Sequence, residues 1–534
     1  MLNTQRATRG MVVAPHALAA QAGQAVLREG GNAIEATVAV AANLAVLYPH
    51  MTGLGGDSFW LLSHPGHAVR ALSGAGRSPF DLEIARYRNA GLDAIPLRGP
   101  LAANTVAGTL CAWDAALEVS CREWGGCLPL SLLLEDAIQY AERGCPVTDS
   151  QARTTASKID ELRAQPGFAE VYLRDGEAPQ AGSLQYQPAL GATLRHLVQA
   201  GLHDFYRGEL AQTVAADLAA IGSPVKARDL AAQRNERWEP LALDLPGMGR
   251  YFTTAAPTQG LATLYILGQF SQRPPGITND LDADYVHYLA ESTKQAFRIR
   301  DRVIGDPLDM APLDLAQALS PESLGALAGN IDMSKTLPWA GAGDMSDTTW
   351  FGVIDGEGHA VSCIQSLYHE FGSGVVLPQS GICWQNRGAS FALDESHPRA
   401  LKPGRLPFHT LCPSLVHFDD GRLMVLGTMG GDGQPQTQAC LFTRYAYLGR
   451  ALQAAISEPR WLLGRTWGQN TNTLKLEARF APAVIAALRE RGHEVEVVAD
   501  FDEMMGHAGA LVRYPDGVIE GAADPRSDGA AVGF

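Results

Sequence analysis

Apolar residues recur at three- and four-residue intervals from Ala17 to Glu29 and the pattern stops at Gly30-Gly31, which predicts a helix entered from Pro15. Asn32 can cap a second helix that begins at Ala33 and stops before Pro49. The two read as a buried helical hairpin. Between Ala33 and Tyr48 the apolar run is interrupted by Glu35 and Asn43, and it falls short of the ~20 residues that a bilayer span needs, so it is expected in a core. Residues 51–62, MTGLGGDSFWLL, read as a glycine loop entering a strand, and Ser73 to Pro79 as a second loop. Helical spacing returns at Leu128–Arg143, Leu184–Ala200 and Ala283–Arg302, the last ended by Gly305-Asp306-Pro307.

From about Pro307 to Met345 the chain turns loop-like, and after it the period changes from helical to alternating, which places a boundary near residue 347. Thr348–Ile354 and His359–Leu367 are predicted strands joined by the turn Asp355-Gly356-Glu357-Gly358. Further strands are expected at Leu423–Leu426 and Ala510–Arg513, with helices at Gln436–Leu448 and Ala481–Arg491. Helices, then strands, then helices suit a layered α/β or α+β protein with a large antiparallel sheet.

Composition narrows the chemistry. The 534 residues carry 57 acidic and 42 basic side chains, a formal charge of −15 with no basic cluster, which argues against nucleic acid or an anionic membrane as partner. MLNTQRATRG, the first ten residues, lacks the apolar stretch of a secretory signal, so a cytoplasmic location is expected. Eight cysteines, Cys111, Cys121, Cys127, Cys145, Cys363, Cys383, Cys412 and Cys440, contain no CxxC pair and read as reduced thiols. Gly53-Leu54-Gly55-Gly56 follows a helix and lacks the third glycine of a dinucleotide loop. Neither a GxxxxGK[ST] loop nor an HExxH motif occurs, and Gly372-Ser373-Gly374 is too short for a nucleophile elbow. No cofactor and no metal are expected.

What remains is residues 346–376, SDTTWFGVIDGEGHAVSCIQSLYHEFGSGVV, where Thr348 stands at a loop-to-strand junction and a second hydroxyl, Ser366, falls on the next strand. Together with GGNAIEA (30–36), GLGGDSF (53–59), APTQG (256–260), GDP (305–307), PGRLP (403–407), GTMGGDG (427–433) and GAADPRS (521–527), in that order, this segment resembles the gamma-glutamyltransferase family of N-terminal-nucleophile hydrolases. The resemblance implies an α+β, four-layer αββα fold made as an inactive precursor that cuts itself between Asp347 and Thr348. The fragments 1–347 and 348–534 would stay together as one structural unit, with room for a homodimer of the processed pair. It further implies that Thr348 is the nucleophile and that its freed α-amine, with an ordinary pKa of about 7.7 to 8.0, is the base. Thr349 and Ser366 match positions that orient the nucleophile, and Gly430 and Gly431 match the oxyanion-binding amides.

The pattern departs from the family's glutathione-processing members around the substrate. In place of NNQMDDF the chain reads QNRGASF (385–391), so Ser390 replaces the acid that grips an α-ammonium and Arg387 replaces an amide. Tyr368 replaces an asparagine, His409-Thr410 replaces a serine pair, and Arg77 is the nearest basic candidate for a carboxylate-binding arginine, since Ile84 falls near the usual position. Losing a carboxylate and gaining a guanidinium favours an acyl group that carries a carboxylate and no amine. Alternatively, Arg387 is a solvated surface charge. QSLY, QNRG and PFHT resemble the branch containing oxamate amidohydrolase and the acylases of carboxyl-bearing side chains. The expected activity is hydrolysis of a small carboxyl-bearing amide such as oxamate. The competing readings are a gamma-glutamyltransferase or glutathione hydrolase, a cephalosporin-type acylase, and, least favoured, a non-catalytic paralogue.

Overall fold

The strand pair around the Asp355–Gly358 turn becomes the middle of the molecule. In the computed structural model, which describes residues 3–339, 347–464 and 471–534, Asp347–Asp355 and Ala360–Tyr368 form an antiparallel hairpin. Strands from both sides of the expected boundary flank it. Across this sheet the order is Ala530–Gly533, Gly10–Ala14, Asp347–Asp355, Ala360–Tyr368, Asp57–Ser63, Arg70–Gly74 and Glu236–Trp238. A second sheet runs Gln5–Ala7, Ile519–Ala523, Ala508–Arg513, Leu423–Thr428, Ser414–Phe418, Gly249–Thr253 and Leu241–Leu245. Neighbouring strands within both sheets are antiparallel throughout.

Side chains alternate between the faces of a strand, and the clusters follow that period. Phe351, Val353, Val361 and Cys363 point into the cluster that contains the helix Ala33–Leu47. Trp350, Ile354, Ala360 and Ile364 point the other way and meet Leu415, Val425 and Leu511 of the second sheet. Val416, Met424, Leu426 and Val512 on the far side of that sheet pack under the helices Gly260–Ser271, Ala283–Val303 and Gly433–Phe442. Helix, sheet, sheet and helix layers result, an α+β sandwich rather than a parallel α/β fold. Trp350 fits between the sheets because its neighbours lack side chains: a Cβ on Gly427 would lie 2.0 Å from its ring.

The helical hairpin forms as expected, over Ala17–Arg28 and Ala33–Leu47. Asn32 Oδ1 accepts from the Glu35 N–H (3.1 Å) while the Glu35 carboxylate accepts from the Asn32 N–H (3.0 Å), a reciprocal cap. Every residue of the second helix is buried in protein, and no helix among the described residues is long and apolar enough to cross a membrane. Other boundaries shift. The expected Leu128–Arg143 helix breaks at Leu134 into Leu130–Leu133 and Glu135–Arg143. Leu184-Gln185 pairs with Cys145-Pro146 instead of beginning a helix, which starts at Pro188. Ser73 and Gly74 complete the strand Arg70–Gly74 before the loop begins. The helix expected at Gln436 starts at Gly433 and loosens at Phe442 into a π turn, Thr443–Tyr447. Two short helices, Leu315–Ala318 and Pro321–Gly329, interrupt the loop-like stretch after Pro307, and residues 340–346 of that stretch lie outside the described ones.

Beside the hairpin three buried imidazoles gather on one ring. Tyr48 lies 5.9 Å from His16, 4.3 Å from His50 and 6.4 Å from His507, centroid to centroid. Burial pushes His16 down to about 4. His507 is also brought down to about 4 by burial, with Asp524 opposing and Arg460 and Arg526 reinforcing the shift. Burial, then the charges of His507, His16 and Arg153, holds His50 well below its ordinary value. The folded protein therefore binds fewer protons here than the unfolded chain, whose histidines titrate near about 6.5. Stability from this cluster is complete above that pH and is lost as pH falls from there towards 4. We predict that the Tm declines between pH 6.5 and 4.5, above most carboxylate titration, and that His16→Asn flattens the decline; a Tm constant over that interval would contradict the assignment.

Candidate functional site

Thr348 begins the central hairpin at an irregularity. Asp347 pairs with Tyr368 and Thr349 with Gln365, so Ser366 and Leu367 together face Thr348 alone. A bulge of this kind re-aims side chains. Here Thr348 is buried and its Oγ1 lies 3.4 Å from Ser366 Oγ, which also accepts from the Tyr368 N–H at 2.8 Å. The hydroxyl contact is longer than the ~2.7 to 2.8 Å usual for such bonds, a common state before a reactive complex forms. Thr349 turns elsewhere, donating its hydroxyl to the Gln365 carbonyl (2.9 Å) and so pinning the strand pair.

The glycine loop supplies the opposite wall. A Cβ on Gly56 would sit 2.1 Å from the Ser366 carbonyl oxygen and one on Gly55 2.2 Å from that of Cys383, so the loop approaches the hairpin backbone to backbone. This brings Asp57 into register with Ser366. Asp57 Oδ1 accepts from Gly76 N (3.0 Å), Gly108 N (3.1 Å) and Gln385 Nε2 (3.0 Å), while Oδ2 lies 3.3 Å from His409 Nε2.

Arg387 is buried, with 1% of its surface exposed, which excludes the surface-charge alternative. Its guanidinium stacks 3.9 Å over the Tyr368 ring and Nη1 donates to Thr410 Oγ1 at 3.4 Å. Tyr368 holds φ +84, a left-handed backbone that bulky residues seldom adopt and that concentrates at functional sites. Burial and then the Arg387 charge push the His409 imidazole down to about 4 against the pull of Asp57, so His409 is neutral at pH 7. The structure thus brings together Thr348, Ser366, Tyr368, Arg387, His409 and Thr410.

Two expected residues are elsewhere engaged. Ser390 directs its hydroxyl at the carbonyls of Arg387 and Phe408, both at 3.0 Å, and braces the turn Arg387–Ser390. Arg77 pairs with Glu236 and with Asp306 (3.4 Å) and donates to the Gly404 carbonyl (3.2 Å), so carboxylates of this chain occupy its guanidinium.

Gly430 and Gly431 follow the strand Leu423–Thr428 with φ +111 and +52. Gly433 N donates to the Gly430 carbonyl (2.6 Å) at the start of the helix Gly433–Phe442. Among the described residues none accepts from the Gly430 or Gly431 N–H. Gln259 Nε2 donates to both the Thr410 carbonyl (2.7 Å) and the Gly431 carbonyl (2.8 Å), which sets the glycine pair beside the Arg387 side of the site. Asp57, Gln259 and the glycine loop escaped prediction as site residues; their signal was position inside GLGGDSF and APTQG. Of groups with metal-ligand side chains, His287, Glu291 and His493 lie close together, all buried. Lys294 Nζ is 2.8 Å from Glu291 and also donates to the Leu337 carbonyl (2.9 Å), so an ammonium already supplies the positive charge there.

The profile of the gamma-glutamyltranspeptidase family matches residues 19–534. The chain belongs to that family. Within it, this gamma-glutamyltranspeptidase family member is 55% identical over 534 residues, covering 100% of both chains, to the oxamate amidohydrolase proenzyme of Klebsiella pneumoniae. It is 43% identical over 534 residues, 99% of both, to the glutathione hydrolase-like YwrD proenzyme of Bacillus subtilis. The crystal structure of cephalosporin acylase from Bacillus halodurans matches with a TM-score of 0.90 and 33% identity, covering 100% of this chain and 97% of that one. The family member is accordingly an amide C–N hydrolase with the N-terminal-nucleophile fold, made as a proenzyme that is cut into two associated chains. We predict that Ser366→Ala slows both self-cleavage and substrate turnover by about 10-fold, the value of one hydrogen bond to a reacting hydroxyl, while Ser366→Thr retains both. Unchanged rates in the alanine variant, read by fragment formation on gels and by product release, would reduce Ser366 to a strand residue.

Proposed function

We propose that this protein hydrolyses the amide of a small carboxyl-bearing acid, oxamate fitting best, through an acyl-enzyme on Thr348. The observation that carries this reading is the buried Arg387 guanidinium, stacked on Tyr368 two residues from Ser366 and touching Thr410. A buried cation stacked on the residue that ends the Ser366 strand suits a carboxylate close to the scissile amide. Identity to the Klebsiella oxamate amidohydrolase supports it. No acid stands where Ser390 lies, which removes the anchor that an α-ammonium would need. Free cysteines, six of the eight buried, suit the cytoplasm.

In the uncut chain the Thr348 nitrogen is an amide and cannot serve as a base. Self-cleavage begins when Thr348 Oγ1 attacks the Asp347 carbonyl carbon. The acyl group shifts from nitrogen to oxygen and the hydroxyl proton passes to the nitrogen, which leaves as the free α-amine. Water then hydrolyses the ester, releasing the Asp347 carboxylate and restoring the Thr348 hydroxyl. With a pKa near about 7.7 to 8.0, that amine takes the hydroxyl proton as Oγ1 attacks the substrate amide. The N–H groups of Gly430 and Gly431 hold the oxyanion, each such donor contributing about 2.7 to 4 kcal/mol. Collapse returns the proton to the leaving nitrogen, ammonia departs from a primary amide, and water attacks the acyl-enzyme to release the acid.

The test is a pair of substrates. Oxamate or a short dicarboxylic monoamide is expected to react with a kcat/KM at least ~10-fold above a γ-glutamyl amide, the ratio that one charge pair of about 1.4 kcal/mol produces. Arg387→Gln should lose at least that factor on the carboxylate substrate. Faster turnover of the γ-glutamyl compound, or an Arg387→Gln enzyme unchanged on oxamate, would overturn the reading.

A further inference from the structure

Gln259 lies at the start of the helix Gly260–Ser271 and is fully buried. Its side chain joins three separate segments. Nε2 donates to the carbonyls of Thr410 (2.7 Å) and Gly431 (2.8 Å), and Oε1 accepts from Arg300 Nη1 (2.8 Å). Its backbone N–H adds a bond to the His409 carbonyl (2.9 Å). Arg300, on the helix Ala283–Val303, also grips Asp432 with two bonds, Nη1 to Oδ1 at 2.7 Å and Nη2 to Oδ2 at 3.1 Å. Both partners are 1% exposed. Asp432 is the residue after Gly431, so the Gly430–Asp432 turn is held from two sides by one amide and one guanidinium.

The consequence for the oxyanion-binding amides follows from peptide planarity. In a trans peptide the C=O and N–H point in opposite directions. The Gly430 carbonyl is fixed by Gly433 N, which aims the Gly431 N–H away from the helix. The Gly431 carbonyl accepts from Gln259 Nε2 and, more weakly, from Gln434 N (3.1 Å), and the two set the next plane. Both glycines occupy left-handed backbone, where these bonds, together with that from Thr428 Oγ1 to the Met429 carbonyl (2.8 Å), choose among the conformations open to glycine. The same Nε2 ties down Thr410, whose hydroxyl meets Arg387.

We propose that Gln259 is a positioning residue for amide hydrolysis: it locks the oxyanion-binding turn and the Arg387–Thr410 side of the pocket into one frame, with Arg300 and Asp432 as its anchor. The inference rests on the reading of Gly430 and Gly431 as oxyanion donors. It differs from a stability role in what it predicts. A misaimed amide lowers the rate of the bound complex, whereas a loosened core lowers the melting temperature of an enzyme whose folded fraction works normally.

The experiment uses the full chain, allowed to process, with Gln259→Met, which keeps the volume and removes every side-chain hydrogen bond, and Asp432→Asn, which weakens the anchor and keeps the shape. For Gln259→Met the expected result is two fragments as in the parent, a kcat on oxamate or the best primary amide reduced on the order of 10²-fold, and a much smaller change in KM. Asp432→Asn is expected to shift kcat in the same direction by less. Parent kcat per folded enzyme in both variants, whatever the melting temperature does, overturns the proposal. Should Gln259→Met fail to fold, Asp432→Asn decides alone, by a lowered or an unchanged kcat. Exchange of Gly431 for glycolic acid, which replaces its N–H by an ester oxygen, separates the two levels. Full turnover there removes the oxyanion reading and this inference with it, whereas a dead ester variant beside a fully active Gln259→Met removes only the inference.

Discussion

Everything in this structure depends on a strand that begins at the bond we propose is cut. Asp347–Asp355 lies inside a seven-stranded sheet, paired on one side with Ala360–Tyr368 and on the other with Gly10–Ala14. Strands from before and after residue 347 interleave in both sheets, so a cut there divides the covalent chain without dividing the core. Antiparallel pairing and the inter-sheet packing of Trp350 against Gly427 and Gly509 hold Thr348 in place before and after cleavage. The bulge opposite it then delivers the second hydroxyl. A catalyst made by cutting needs this: the new terminus must stay where the peptide was.

Electrostatics on this frame are sparse and buried. Arg387 is the cation, Asp57 the anion, and His409 between them is neutral because burial and Arg387 outweigh Asp57. Asp57 accepts from three donors through one oxygen, as a buried carboxylate should. That leaves its other oxygen beside His409 and ties the glycine loop to the substrate wall. The same logic recurs at Arg300 and Asp432, a buried bidentate pair whose work is geometric.

Much of this was legible in the sequence because it is carried by local rules. The Asn32–Glu35 cap, the largely apolar helix behind it, the Asp355–Gly358 turn and the alternating strands each leave a local mark. Motif order placed Thr348, Ser366 and the two glycines on the segments that the fold brings together. Harder to read were the short strands before residue 300, such as Glu236–Trp238 and Leu241–Leu245, which are too brief to show a period. The partners of Ser390 and Arg77 were hidden for a different reason: sequence places a side chain near a site and says nothing of the carbonyls and carboxylates, Phe408 and Glu236 among them, that engage it. Gln259 and Asp57 were hidden because the contacts that bring them to the site, Gln259 with Thr410 and Asp57 with His409, join residues 151 and 352 positions apart, which no spacing encodes.

The central claim is that cleavage before Thr348 creates the group that then carries the acyl chain. Its most direct test is the intact mass of the small fragment, of about 20 kDa when 56.9 kDa is apportioned by residue count, taken from the processed enzyme at rest and from a sample acid-quenched during turnover. The account predicts a resting mass equal to residues 348–534 and, in the quenched sample, a second species heavier by one acyl group, mapped to Thr348 by fragmentation. A small fragment starting at any other residue, or an acyl group found on any other side chain, would contradict it.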